Sequence, residues 1–342
     1  MHNLLDPAIL FFVFGVVAGT LKSNLEIPPP ISRFLSLYLL MALGLKGGFA
    51  LAKSGMTVEV ATTLGLAVAL AIIIPAVAYR ILTRFLSGYD AAAIAATYGS
   101  VSAVTFITAV QYLENQGVAY GGHMAAAMAL MESPAIVMAV LFANGLRHAP
   151  AGPATPGIAF GSSGTLALTM TLTGAPVPRT ALKTLLHESF TDGAQLLLLG
   201  AMLIGCLTGA AGQKTMAPFS IDLFKGMLAF FLLDMGLLAA RNLGELRGKS
   251  PWLLGYAVGA PLMHAALALT MAAALGIGRG NGALLMTLAA SASYIAVPAV
   301  LRYAIPEAKP SLYFGMSLGV TFPFNILVGI PLYAALAGRV LA

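Results

Sequence analysis

Ten apolar windows of close to 20 residues divide the 342-residue chain, at 7–23, 33–52, 57–80, 90–112, 123–146, 190–211, 222–243, 251–275, 281–303 and 312–337. An α-helix rises 1.5 Å per residue, so roughly 20 apolar residues cover the ~30 Å hydrocarbon core of a bilayer. Lipid offers no partner to a free N–H or C=O, which restricts such windows to helices whose backbone bonds close within the segment. The expected fold is an all-α integral membrane protein with ten transmembrane helices. Composition points the same way: 59% of residues are hydrophobic and 9% charged, where soluble domains carry about 25% charged residues. The leader MHNLLDP has no Lys or Arg and no cleavage pattern follows it, so the first window reads as a helix and not as a secretion signal.

Ten crossings place both termini on one side, and Lys and Arg near span ends favour the cytoplasm. With the N-terminus outside, the cytoplasmic set is Lys22, Arg33, Arg80, Arg84, Arg147, Arg179, Lys183, Arg241, Arg247, Lys249, Arg302 and Lys309, twelve of 18. Lys46, Lys53, Lys214, Lys225, Arg279 and Arg339 then lie outside. Both termini are predicted outside. The net charge of +6 reflects this asymmetry, and no Lys/Arg stripe marks a nucleic-acid surface. Cys206 stands alone within a window, which excludes a disulfide framework or a thiolate metal site. There is no HExxH, no GxSxG and no His/Cys cluster of ligand spacing, so an enzyme is not expected, nor is a cofactor.

The halves match at a nearly constant offset. Gly15 and Gly19 pair with Gly205 and Gly209, Pro28 with Pro218, Gly44 with Gly236, Ser100 and Ser102 with Ser291 and Ser293, Tyr112 with Tyr303, and Pro134 with Pro323, all at 189 to 192 residues. Each copy holds five windows, an odd number, so the second copy enters the membrane from the opposite side. Inverted repeats are a transporter architecture, with substrate near the midplane between interrupted helices of the two halves. The expected organisation is a first five-helix repeat at 1–146, a cytoplasmic linker at 147–185, and a second, inverted repeat at 186–342. The linker is rich in Gly, Pro, Ser and Thr, with room for one short surface helix near 180–188.

The fourth window of each repeat carries the feature that an apolar span least needs. GSVSAVT (99–105) and SASYIAVP (291–298) put small residues and hydroxyls at membrane depth. Gly99, Ser100 and Ser102 leave room for the backbone to unwind, and Pro298 removes an N–H and disrupts the preceding turn. Irregular backbone survives there only where protein or a water-filled cavity satisfies it. A half-helix N-terminus favours an anion, and unwound carbonyls with Ser or Thr hydroxyls can ligate Na⁺. Substrate-binding candidates are Gly99, Ser100, Ser102, Thr105, Ser291, Ser293 and Tyr294, with Ser102 and Ser293 also candidate sodium ligands. Small residues and hydroxyls also pack helices tightly, the plainer reading of either motif alone.

Charges inside spans are costly and mark sites or pairs. Glu132, before Pro134, has two open readings, a cation ligand or proton carrier against a hydrogen-bonded acid beside a kink. Asp234, two residues before Gly236, is a weaker cation candidate, and packing is its plainer role. Lys46 occupies the equivalent region of the other repeat and either snorkels or pairs with an acid. His123 and His264 are isolated, and His187, Glu188 and Asp192 read as a solvated helix start.

On ALGLKGGFAL (42–51), GSVSAVT followed by Leu113 and Glu114, MESPAIV (131–137), FLLDMGLLAA (231–240) and ASASYIAVPAVLRYAIP (290–306), the chain resembles the sodium-dependent bicarbonate transporter family of the SbtA type over nearly its whole length. The resemblance implies ten helices in inverted repeats, a homotrimer in the bacterial plasma membrane among lipid, and import of bicarbonate with sodium as coupling ion. It also implies that both bind where the interrupted fourth spans meet, and that a PII-like protein acts on the cytoplasmic face. Three positions depart from the family pattern. Tyr294 replaces an acid in a motif that reads SSSD in the family, Val104 replaces a serine, and Ala296 replaces a hydroxyl. Glu132 stands where the family tends to have Asp. Since a neutral phenol is a poor sodium ligand, Asp234 or Glu132 would have to supply the missing charge. Two other readings keep the architecture: a carrier of larger organic anions, and a membrane regulator that binds an anion without moving it.

Overall fold

The computed structural model describes residues 6–55, 57–147, 193–243 and 250–341, and among these every regular element is helical. The linker, its expected surface helix, and His187, Glu188 and Asp192 lie outside the described residues. The helices are α1 (Pro7–Thr20), α2 (Pro29–Ser54), α3 (Val58–Leu82), α4 (Gly88–Gly99), α5 (Ala103–Asn115) and α6 (Met124–Arg147), then α7 (Gly193–Ala217), α8 (Phe224–Leu243), α9 (Pro251–Ala274), α10 (Arg279–Ala290) and α11 (Ala296–Ala304). The last rod, α12, runs Pro310–Val340. Starts follow local chemistry. Asp6 and Ser87 accept from the backbone N–H of Ala8 and Asp90, and Pro29, Pro251 and Pro310 occupy first-turn positions that need no N–H.

Where ten windows were expected, six described stretches are long and apolar enough to cross a membrane: Pro29–Lys53, Val58–Leu82, Gly88–Asn115, Leu196–Asn242, Pro251–Ala274 and Pro310–Val340. The difference has physical causes. The Leu196–Asn242 run has 47 residues, about 70 Å of helix and more than twice a hydrocarbon core. It absorbs two windows, and it is broken at Gly209 (φ 54°, ψ −137°) and by a π-helical turn at Pro218–Asp222. By contrast α1 has only 14 residues, and α10 and α11 have 12 and 9. Phe14, Leu203, Leu207 and Met263 expose large apolar side chains, as a lipid-facing surface does.

Packing pairs the halves crosswise: α1 lies along α8, and α2 along α7. Glycines permit both contacts. A Cβ on Gly15 would stand 2.3 Å from the Leu233 carbonyl oxygen, and one on Gly236 2.2 Å from that of Phe12. In the other pair, a Cβ on Gly48 would reach 2.1 Å from the Met202 oxygen and one on Gly205 2.7 Å from that of Leu45. Only hydrogen fits at such backbone approaches. Gly15 and Gly236 belong to different matched pairs of the repeat and meet each other across the molecule. Flanking these crossings, α3, α4 and α6 pack together, as do α9, α10 and α12.

Contacts sort the helix ends. Asn115, ending α5, donates to Asp6 before α1 (2.8 Å), and Asn281 near the start of α10 donates to Glu59 at the start of α3 (2.8 Å) while accepting from Gly121 N–H (2.7 Å). Leu341, just past α12, packs on Gly282. The first and last described residues therefore share one end, called here the Glu114 end. At the opposite, Arg33 end, the N–H of Lys309 donates to Asp90 at the start of α4 (2.8 Å).

Candidate functional site

Neither α4 nor α5 crosses a membrane alone, since their 12 and 13 residues correspond to roughly 18–20 Å each. They run nearly end to end from the Arg33 end to the Glu114 end, interrupted at residues 100–102; α10 and α11 are interrupted at 291–295. Pro298 does not make the second interruption. It sits in the first turn of α11, where a missing N–H costs no helical bond.

The two interruptions are bonded to each other. The Ser102 N–H donates to Ser291 Oγ (3.0 Å), and the Ser293 N–H donates to the Thr97 carbonyl (2.8 Å). Each second serine then binds the helix that follows it: Ser102 is the N-cap of α5 and its Oγ accepts from Thr105 N–H (3.2 Å), and Ser293, two residues before the N-cap Ile295 of α11, accepts through Oγ from Val297 N–H (3.3 Å). Ser291 Oγ donates to the Leu288 carbonyl (2.8 Å). A helix start leaves its first N–H groups without helical acceptors, and the starts of α5 and α11 both lie at this crossing. Ser100 Oγ is buried there with no hydrogen-bond partner. Gly99 serves packing, since a Cβ would stand 2.6 Å from the Pro75 ring of α3.

A cleft of about 770 Å³ leads from the Arg33 end to this crossing, lined by Arg33, Arg241, Ser32 and Asp234 and reaching Tyr294 and Ile295. Asp234 accepts a hydrogen bond from Ser32. The Tyr294 hydroxyl donates to Met235 Sδ (3.7 Å), and its ring packs edge-on against Phe322 (5.3 Å). Tyr294 and Asp234 thus share one cleft. Glu132 is half-buried on α6 and is not among the residues lining it. Among the described residues, no three His, Cys, Asp or Glu side chains cluster as a metal site. A cation at the crossing would depend on hydroxyls and carbonyls, with at most one nearby carboxylate.

Two contributors escaped the sequence reading. Asn325 of α12 donates to the Ala290 carbonyl that ends α10 (2.8 Å) and accepts from Tyr333 (2.9 Å). Tyr98, next to Gly99, shares a hydrogen bond with Thr321 (2.6 Å), which donates to the Ala257 carbonyl (2.7 Å). Both partners lie in the stretch where Pro323 removes a helical N–H and π turns at Gly315–Thr321 and Asn325–Gly329 flank it. The usable signal was an amide and a hydroxyl beside a proline inside an apolar window.

Residues 7–338 match the family model of the Na+-dependent bicarbonate transporter superfamily. No curated protein matches the chain.

Proposed function

The chain belongs to the Na+-dependent bicarbonate transporter superfamily, and on that premise we propose that it imports bicarbonate with sodium, by alternating access, at the crossing of the two helix interruptions. The observation that carries the reading is the mutual bonding of the interruptions through Ser102, Ser291, Ser293 and Thr97. Bicarbonate is small, planar and singly charged, so helix-start N–H groups and the Ser100, Ser102, Thr105, Ser291 and Ser293 hydroxyls suffice to hold it weakly. Weak, reversible binding suits a carrier. Sodium would take serine hydroxyls and unwound carbonyls, with Asp234 supplying across the cleft the negative charge that Tyr294 lacks.

The crosswise packing of α1 on α8 and α2 on α7 supports ten spans in two inverted repeats, because a two-fold axis in the membrane plane exchanges those pairs. The lysine and arginine count supports a cytoplasmic Arg33 end, with the termini outside. The cleft reaching Tyr294 would then open inward. A bacterial plasma membrane, a homotrimer and a PII-like partner belong to the same reading through the family resemblance alone. The test is uptake of radiolabelled bicarbonate into proteoliposomes with an inward sodium gradient against an equal potassium gradient. Accumulation with sodium only is expected; equal uptake in both would overturn the coupling. Because 770 Å³ exceeds what bicarbonate fills, a second reading is a larger organic anion, favoured if such an anion outcompetes bicarbonate in the same vesicles.

A further inference from the structure

At the Glu114 end a second cleft, about 420 Å³, is lined by Lys46, Lys53, Glu114, Tyr120, Gln213 and Phe106. Phe106 follows Thr105 in the first turn of α5, so the floor of this cleft adjoins the crossing that the other cleft reaches from the opposite end. Lys46 Nζ stands 3.2 Å from both carboxylate oxygens of Glu114 and 4.1 Å from the centroid of the Phe224 ring. Glu114 also accepts from the Tyr120 hydroxyl at 2.8 Å. Burial first, and the Glu114 charge second, push the Tyr120 phenol well above its ordinary range, so it stays a donor to that carboxylate.

An ammonium has three donors, and Glu114 takes two of them in a geometry that any planar monoanion with two adjacent oxygens can copy. The pair is partly open to water, with side chains 16% and 30% exposed, so an incoming anion reaches it without unfolding the site. Lys53 lies seven residues on, at helical spacing, and adds positive potential that raises the local anion concentration. Tyr120 offers Glu114 a bond to keep when it releases Lys46.

We propose that Lys46 is a vestibular binding site for planar monovalent oxyanions of the carboxylate and bicarbonate type, with Glu114 as the built-in competitor that the anion displaces. As a capture point on the path to the crossing it rests on the transport reading above; as a binding site it does not. The experiment is calorimetric titration of purified protein with sodium formate, with sodium chloride as the spherical-anion control. The proteins are wild type, Glu114→Gln, Lys46→Gln and Lys46→Arg. Removing a competing partner from a partly exposed pair is expected to tighten formate binding about two- to fivefold in Glu114→Gln. Binding should weaken by a similar factor in Lys46→Gln and be largely kept in Lys46→Arg, with no matching response to chloride. Formate affinity unchanged in Glu114→Gln, or unchanged in Lys46→Gln, would overturn the proposal. Each variant's unfolding midpoint confirms that it is folded. Formate binding with this pattern in a protein that moves no bicarbonate would overturn the transport reading and leave the site standing.

Discussion

A serine at membrane depth either packs or binds, and at residue scale the difference lies in what its oxygen already serves. Ser102 caps α5, Ser293 accepts from the first turn of α11, Ser291 joins the two interruptions, and the Ser100 hydroxyl has no partner. Ser102, Ser291 and Ser293 thus each use hydrogen bonds to shape the backbone so that helix starts face one another, with hydroxyl capacity left in Ser102 and Ser293 to meet a ligand, while Ser100 uses none. Tyr294 puts a bulky neutral phenol into this neighbourhood, where the resemblance implies an acid, and Asp234 is the carboxylate that shares its cleft. If Asp234 supplies the missing charge, Asp234→Asn will raise the sodium concentration for half-maximal uptake about tenfold, as losing one charged ligand does. The midpoint for unfolding in detergent should move little, because an amide still accepts from Ser32. Unchanged sodium dependence in that variant would remove Asp234 from the site.

Among elements, the crossings of α1 with α8 and α2 with α7 hold the two halves together, and they tolerate no side chain. Gly236→Ala places a methyl 2.2 Å from the Phe12 carbonyl oxygen, and forced overpacking of this kind costs about 1–3 kcal/mol. Gly255→Ala on α9, where a Cβ meets nothing within 4 Å, is the matched control. Thermal unfolding in detergent should separate the two; equal midpoints would mean that α8 can slide away from α1. These helices were readable in the chain because lipid imposes length and apolarity on every window, and most described helix ends fall near window ends, although only six described stretches are long and apolar enough to cross. The interruptions were readable from small residues and hydroxyls repeated at one offset. What bonds to what was not: the offset says that Ser102 and Ser293 are equivalent, and gives no hint that Ser102 meets Ser291 or that Ser293 meets Thr97. Pro298 misled for a related reason, since a proline disrupts a turn or opens one according to where the helix begins. Lys46 and Glu114 are 68 residues apart, and nothing in the sequence around either names the other.

On the scale of the whole molecule, two clefts approach one crossing from opposite ends. The Arg33-end cleft reaches Tyr294 and Ile295, and the Glu114-end cleft reaches Phe106. A carrier that alternates access needs such a pair, each closing as the other opens, with the substrate site between them. In the proposed cycle, motion at the glycine contacts between α1 and α8 and between α2 and α7 would let one cleft close as the other opens. All of this depends on the crossing being where the anion sits. The most direct measurement is sodium-driven bicarbonate uptake by Ser102→Ala and Ser293→Ala in proteoliposomes, with the unfolding midpoint of each measured beside it. Loss of the Ser102 cap, or of the Ser293 bond to Val297 N–H, costs about 1 kcal/mol, so both variants should stay folded while uptake falls to background. Folded variants that both retain full sodium-driven uptake would contradict the account and move the transport site away from the crossing.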